Sequence, residues 1–213
     1  MPLQNRVLPD GKIVRRSDRG LIMGNRGCLH GGGRDLGVTR WRSKLWICCV
    51  LDWKGVRRDV MPPNRWTALF FADEASALAA GHRPCAYCRR ADYVAYAEAW
   101  REAAGLSARL KAYEMDAVLH RERVTRTRQK VTHQASSSDL PDGVMIRLEG
   151  TPALLVGGEA MPWSWHGYGP ATAVPAEVEV LTPPSSVAAI AAGYRPMAHP
   201  SVRSSTLRAH DRP

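Results

Sequence analysis

No run of this sequence is long and apolar enough to cross a bilayer. The longest apolar stretch near the middle, residues 46–51, falls far short of the ~20 residues a spanning helix needs. The first ten residues, M-P-L-Q-N-R-V-L-P-D, lack the apolar core of a secretory leader, so a cytoplasmic location without membrane contact is expected. The glycine-rich stretch at residues 23–37 lacks the G-K-[ST] ending of a phosphate loop, which excludes that route to nucleotide chemistry. Cysteine is scarce and odd in number, five in 213 residues. In a reducing compartment such a count favours metal ligation or free thiols over disulfides. Acidic residues are also in deficit, with 20 Asp and Glu against 30 Lys and Arg, a formal charge of +10.

That deficit is uneven. Residues 1–130 carry 25 Lys and Arg against 13 Asp and Glu, whereas residues 131–213 carry 5 against 7. A polyanion is therefore expected on the first two-thirds of the chain, with nucleic acid, and DNA more than RNA, as the partner. With 45% hydrophobic residues the chain can bury a core and is not a disordered polyelectrolyte.

Local signals predict an α+β protein. Asp10-Gly11 between R-V-L and K-I-V marks a hairpin. The six glycines of residues 23–37 mark a loop that lets the backbone approach a ligand or another segment. Residues 46–53 read as a buried strand, V-R-R-D-V at 56–60 as an exposed one, and 67–71 as a short apolar one. Asp73 is placed to cap a short helix that Gly81 ends, followed by helices over 91–104 and about 107–124. A serine-rich loop at 134–139 precedes strands at 144–148, 153–156 and 178–181. An aromatic, glycine-containing loop at 161–169 suits base stacking or the plugging of a small sheet. A helix capped by Ser185 or Ser186 and closed by Gly193 follows, and then a frayed basic tail. The architecture expected is a small zinc-stabilised N-terminal β/α module packed with helices, residues 1–105. A helix and a small mixed or antiparallel C-terminal sheet, residues 106–213, either follow it or continue it as one domain.

The chemistry concentrates in A-A-G-H-R-P-C-A-Y-C-R-R, residues 79–90. Cys85 and Cys88 at C-x2-C spacing present two thiolates to one ion, and thiolate ligands select zinc. Two further ligands must come from Cys28, His30, Cys48, Cys49 or His82. Adjacent Cys48 and Cys49 on a strand point to opposite faces, so one joins the site and the other enters the core. Cys49 and His30 are favoured, with Cys48 and Cys28 as alternates. A redox Cys-x-x-Cys pair is the competing reading, and the surroundings lack its usual βαβ layout. A near copy of the phrase, A-A-G-Y-R-P-M-A-H-P at residues 191–200, has no cysteines. A-A-G-x-R-P is thus a helix-stop turn, to which only the first copy adds metal ligands.

The segment L-F-F-A-D-E-A-S-A-L-A-A-G-H-R-P-C-A-Y-C-R-R resembles the zinc-binding domain of the Ada DNA-repair protein family, well over residues 69–90 and loosely over 24–51. The resemblance implies a zinc site with Cys85 and Cys88 as ligands, contact with DNA, and in that family a zinc-bound thiolate that accepts a methyl group from damaged DNA phosphate. Upstream the patterns differ: that family places its first two cysteines a few residues apart, whereas here Cys28 and Cys48 lie about twenty apart.

Two further groupings complete the reading. Asp116 and His120 lie i, i+4 on one helix face that Arg123 joins, with Glu122 off that face, a general-base arrangement or an ordinary surface ion pair. Candidate phosphate contacts are Arg15, Arg16, Arg26, Arg89, Arg90, Arg121, Arg123, Arg126, Arg128 and Lys130. A zinc-containing DNA-associated protein with a repair-like role is the leading expectation. A nuclease or base-modifying enzyme using Asp116, His120 and Glu122 is the second, and a zinc-containing regulatory or protein-interaction module the third.

Overall fold

The computed structural model describes residues 1–56, 59–204 and 206–208. At the first turn, Gly11 adopts φ +85° and Asp10 Oδ1 accepts the Lys12 N–H at 3.0 Å. The chain so folds β1 (Gln4–Val7) antiparallel onto β2 (Ile13–Arg15). The glycine-rich stretch opens not as a loop but as strand β3 (Ile22–Asn25). β4 (Ile47–Cys49) is shorter than the strand expected at 46–53. Of the exposed strand expected at 56–60, Arg57 and Arg58 lie outside the described residues, and Val56, Asp59 and Val60 are exposed and unpaired as strand. β5 (Leu69–Phe71) and the two-residue β6 (Arg83–Pro84) complete a six-stranded mixed sheet in the order β2-β1-β5-β3-β4-β6. Its β1–β5 and β4–β6 pairs are parallel.

β3 lies between β4 and β5, and Gly24 is the reason it fits. A Cβ there would stand 2.1 Å from the Ile47 carbonyl oxygen and 3.1 Å from the Phe71 ring. Backbone on one side and a buried ring on the other leave no atom free to yield. Gly24→Ala should destabilise the protein by about 2 kcal/mol, the cost of forced overpacking. Thermal unfolding should register this as a fall of about 4–8 °C in Tm, and an unchanged Tm would show that β3 and β4 tolerate separation.

Asp73 caps α1 (Glu74–Ala79) through a reciprocal box. Its Oδ1 accepts the Ser76 N–H at 2.8 Å, and Ser76 Oγ accepts the Asp73 N–H at 3.1 Å. All six helical residues are buried, with Ala77 against Val7, Leu69 and Phe71 of the first sheet and Ala75 and Ala79 against Met145, Leu154 and Leu181. Small side chains let this helix sit between two sheets. Gly81 ends it at φ +86°, where a Cβ would meet Arg123 at 2.5 Å. α2 (Arg90–Ala103) and α3 (Ala112–Arg123) follow, the latter starting later than expected.

The second sheet is antiparallel throughout, in the order β11-β10-β9-β8-β12-β7. Two of its parts depart from expectation. The serine-rich segment begins as β7 (His133–Ser136), which pairs with β12 (Glu177–Val180). The aromatic segment is a hairpin of β10 (Glu159–Ser164) and β11 (Gly167–Tyr168), in which Trp163 meets Trp165 edge-on at 5.6 Å and Tyr168 is buried. β8 (Met145–Leu148) and β9 (Thr151–Val156) match the expected strands. α4 (Pro184–Ala191) packs on α2, and Tyr96, Trp100, Met115, Leu119, Ile146 and Val180 form the largest apolar core between helices and sheet. The segment beyond Pro200 is anchored, not frayed, as far as it is described: Arg208 bridges to Met197 and reaches Glu74. The architecture is mixed α+β, with four helices and two six-stranded sheets among the described residues. None of these helices is long and apolar enough to cross a membrane.

Candidate metal centre

Strand register decides which cysteines meet. β4 pairs with β3 so that Met23 faces Cys49 and Gly24 faces Cys48, and β6 runs parallel to it with Cys48 opposite Pro84. This lays the turn at residues 85–88 along the end of β4, with the Cys85 N–H donating to the Cys48 carbonyl at 2.9 Å. Side chains alternate across the strand, so Cys49 turns toward Cys85 and Cys88 while Cys48 packs among Val7, Leu29 and Leu69. The sulfurs of Cys49, Cys85 and Cys88 all lie within 4.8 Å of one another, and all three residues are buried. Tetrahedral zinc with Zn–S bonds of ~2.3 Å sets sulfurs about 3.8 Å apart, so the trio can hold a metal ion with little movement.

The turn is built to carry negative charge. Cys85 Sγ accepts the Tyr87 N–H at 3.4 Å. The neighbouring Cys49 and Cys88 thiols, together with backbone N–H groups of residues 87 and 88, hold the Cys85 thiol well below its ordinary range. Cys49 moves the other way, because hydrogen bonding to Cys85 and Cys88, and burial, favour its protonated form. The three thiols are hydrogen-bonded to one another, and a cation would take the place of the protons between them. All three cysteines line a cavity of about 510 Å³ whose wall includes Asp59, Arg65, Trp66 and Tyr87.

The other expected ligands lie elsewhere. His30 is buried with both ring nitrogens engaged, Nδ1 with Thr67 Oγ1 at 2.7 Å and Nε2 with the Pro62 carbonyl at 3.0 Å. Because the Thr67 hydroxyl also accepts the Leu29 N–H, His30 fastens the loop after β3 and does not join the sulfurs. Cys28 is half-buried on the same loop, outside the cavity wall. Cys48 accepts a hydrogen bond from Arg89 Nη1 at 3.2 Å, and burial pushes its thiol up to about 12. Asp59 is an exposed carboxylate on the wall of the same cavity, outside the sulfur cluster, and no motif pointed to it.

Asp116, His120 and Glu122 do not converge. Asp116 is buried, and its two oxygens accept from Arg83 Nε and Nη2 at 2.9 and 2.7 Å, which ties the segment before the cysteine turn to α3. Glu122 accepts the Ser185 N–H at 3.0 Å and the Ser185 hydroxyl at 2.7 Å, so it caps α4 where a serine cap was expected. His120 contacts Arg123 and the edges of Trp41 and Trp46. Burial and Arg123 push its pKa down to about 4, which favours the neutral ring, and among the described residues no carboxylate is hydrogen-bonded to it.

Of the candidate phosphate contacts, Arg26, Arg89 and Arg123 are buried and Lys130 is half-buried. Arg89 is held by Glu74 at 2.8 Å and Asp92 at 2.6 Å. Exposed Arg15 and Arg16 pair with Asp35 and Asp18. Arg90, Arg121, Arg126 and Arg128 are exposed. Among the described residues Arg121 donates to the Ala117 carbonyl of its own helix; it is exposed near the end of α3, and Arg126 is exposed just beyond it.

No protein-family model, curated protein or solved structure matches the chain.

Proposed function

We propose that the protein is a zinc-binding, nucleic-acid-binding protein of Ada-like type, associated with DNA in a repair-like role. The convergence of the Cys49, Cys85 and Cys88 sulfurs within 4.8 Å carries the reading. An all-thiolate donor set selects zinc over hard cations. Three protein ligands beside an open cavity are the pattern of a centre whose fourth position takes Asp59, water or a substrate atom, and not of a closed four-cysteine site. The net charge of +10 and the exposed arginines at the end of α3 supply the attraction for a polyanion.

Purified protein should carry about one zinc per chain by elemental analysis. Fluorescence anisotropy with duplex and single-stranded oligonucleotides should show binding that weakens steeply between 50 and 200 mM salt. Arg121→Ala/Arg126→Ala should lower affinity irrespective of sequence and reduce the slope of log K against log salt by about 2. No binding to either oligonucleotide at low salt would end the nucleic-acid part of the proposal, and metal-free protein would end the zinc part.

A further inference from the structure

A second cavity, of about 690 Å³, lies among β2, α3 and the segments after β3 and α3; its wall mixes apolar side chains with charged ones, and all but one of the charged ones are basic. Arg26, Arg40, Arg123, Arg128 and Lys130 line it together with Trp46. Among the described residues, no carboxylate lies within ion-pair distance of any of these five cations. The one acid on the wall, Asp10, is paired with Lys12 at 2.9 Å, and the remaining wall cation, Arg147, is paired with Glu179 at 3.0 Å.

The cations have neutral partners instead. Arg26 is 2% exposed, donates from Nε to His82 Nε2 at 2.9 Å and from Nη1 to the Gly11 carbonyl at 3.0 Å, and leaves Nη2 without a partner. His82 Nδ1 lies 3.2 Å from the Ile47 carbonyl, so the ring that receives Arg26 is the uncharged form. Arg123 is 1% exposed, donates to the Gly81 and Lys44 carbonyls, and leaves Nε without a partner. Both guanidiniums stack on the same Trp46 indole, at 3.8 and 4.1 Å from its centroid. Lys130 Nζ donates to the Ala79 carbonyl at 2.5 Å, and Arg128 and Arg40 donate to the Val38 and Gly37 carbonyls. Burial, with Arg26 and Arg123 nearby, pushes Lys130 down to about 7.

Buried like charges whose nearest acids, Asp10 and Asp116, are already paired with Lys12 and Arg83 are costly, and arginine does not readily relieve the cost by losing its proton. Protein interiors tolerate such groups where an anion completes them. Several convergent cations on fixed stems suit a tetrahedral oxyanion with several acceptor oxygens better than a single carboxylate. The volume exceeds what a bare ion needs and falls in the range of sites for small organic ligands. We propose that this cavity binds a phosphate monoester of nucleotide size, its phosphate held by Arg26, Arg40, Arg123, Arg128 and Lys130. The site is separate from the cysteine centre. It encloses one terminal phosphate and does not require the protein to track a nucleic-acid backbone.

The test is calorimetry and thermal unfolding of the full-length protein, using inorganic phosphate and a nucleoside 5′-monophosphate against sodium chloride of matched ionic strength. At a hundredfold excess over Kd, either phosphate compound should raise Tm by about 5–10 °C. Arg26 and Arg123 are too deeply packed for clean variants, so Arg40→Gln and Arg128→Asn serve; asparagine tolerates the left-handed backbone at residue 128, φ +68°. Each should weaken phosphate binding about tenfold or more while the protein stays folded, and Arg121→Ala/Arg126→Ala should leave it unchanged. A 5′-phosphorylated oligonucleotide that displaces phosphate where its 5′-hydroxyl counterpart does not would support the site with a strand end as the source. Displacement by the mononucleotide alone would support it with a free phosphate ester as the source. A Tm shift no larger than that in chloride, or equal binding by Arg40→Gln/Arg128→Asn and wild type, would overturn the proposal whatever the outcome of the salt-dependence test.

Discussion

Cys85→Ser should empty the metal centre and lower the melting temperature by roughly 6–20 °C. Cys85 is one of the three converging sulfurs, and the Cys49 and Cys88 thiols and the backbone N–H groups of residues 87 and 88 hold its thiol below the ordinary range. A serine oxygen is a poor replacement for a thiolate at neutral pH, and two remaining sulfurs do not hold zinc against water. Apparent binding energies of structural zinc reach about 10–16 kcal/mol in peptides that have no core of their own. This protein has apolar cores besides the centre, so only part of that energy appears as stability. A share of about 3–5 kcal/mol still corresponds to roughly 6–20 °C in a chain of this size. Elemental analysis and thermal unfolding of the variant, beside wild type treated with a chelator, make the measurement. Cys28→Ser should keep both metal and stability, because that side chain is half-buried outside the cavity wall. Cys48→Ala should keep the metal, though it leaves an Arg89 donor unmatched. A Cys85→Ser protein that retains one zinc, or that melts with the wild type, would remove this metal centre from the account.

What local signals could carry, they carried. The Asp10-Gly11 hairpin, the Asp73 cap and Gly81 stop of α1, α2, and the β8–β9 pair each depend on residues close in sequence, and each is present as read. The misread elements depend on a neighbour remote in the chain. β3 looks like a glycine loop because Gly24 is required by the Ile47 carbonyl, more than twenty residues away. β7 looks like a serine loop because its partner, β12, comes some forty residues later. At the site the same division holds. Strand alternation established that only one of Cys48 and Cys49 can face Cys85 and Cys88, but the pairing of β3, β4 and β6 decides which. Glycines around His30 suggested a loop folding over an ion, whereas the ring is spent on Thr67 and Pro62. A count of arginines does not distinguish those facing solvent from those, like Arg26 and Arg123, that carbonyls and an indole take inside. Nor does i, i+4 spacing reveal that Asp116 is already bound by Arg83 from another segment.

Glu74→Ala should be among the most damaging single substitutions outside the cysteine centre, at about 3–5 kcal/mol. Glu74 is the first residue of α1 and is fully buried. Its carboxylate accepts from Arg89 at 2.8 Å, Arg208 at 3.0 Å, the Tyr194 hydroxyl at 2.5 Å and the Met197 N–H at 2.9 Å. Burial and this carboxylate hold the Tyr194 hydroxyl firmly protonated, as a donor. One anion therefore joins the residue after Cys88, the start of α1 and the C-terminal segment. Its removal takes the anionic partner from a nearly buried guanidinium and strands two further donors, a different matter from losing an exposed ion pair. Arg89 would keep Asp92, which limits the damage and argues against outright unfolding. The contrast is Arg208→Ala: that side chain is 39% exposed, solvent screens its pairs, and the expected loss is about 1 kcal/mol or less. Because the two residues share one carboxylate, the double variant should lose less than the sum of the single ones. Arg89 also donates to Cys48 on β4 while following Cys88 in the chain, so loosening it should weaken metal retention as well as stability. Urea unfolding of the three variants and zinc release to a chromophoric chelator give both readouts. If Glu74→Ala lay within 1 kcal/mol of wild type, the carboxylate would be a passenger of the fold and the cysteine turn would be held by strand pairing alone.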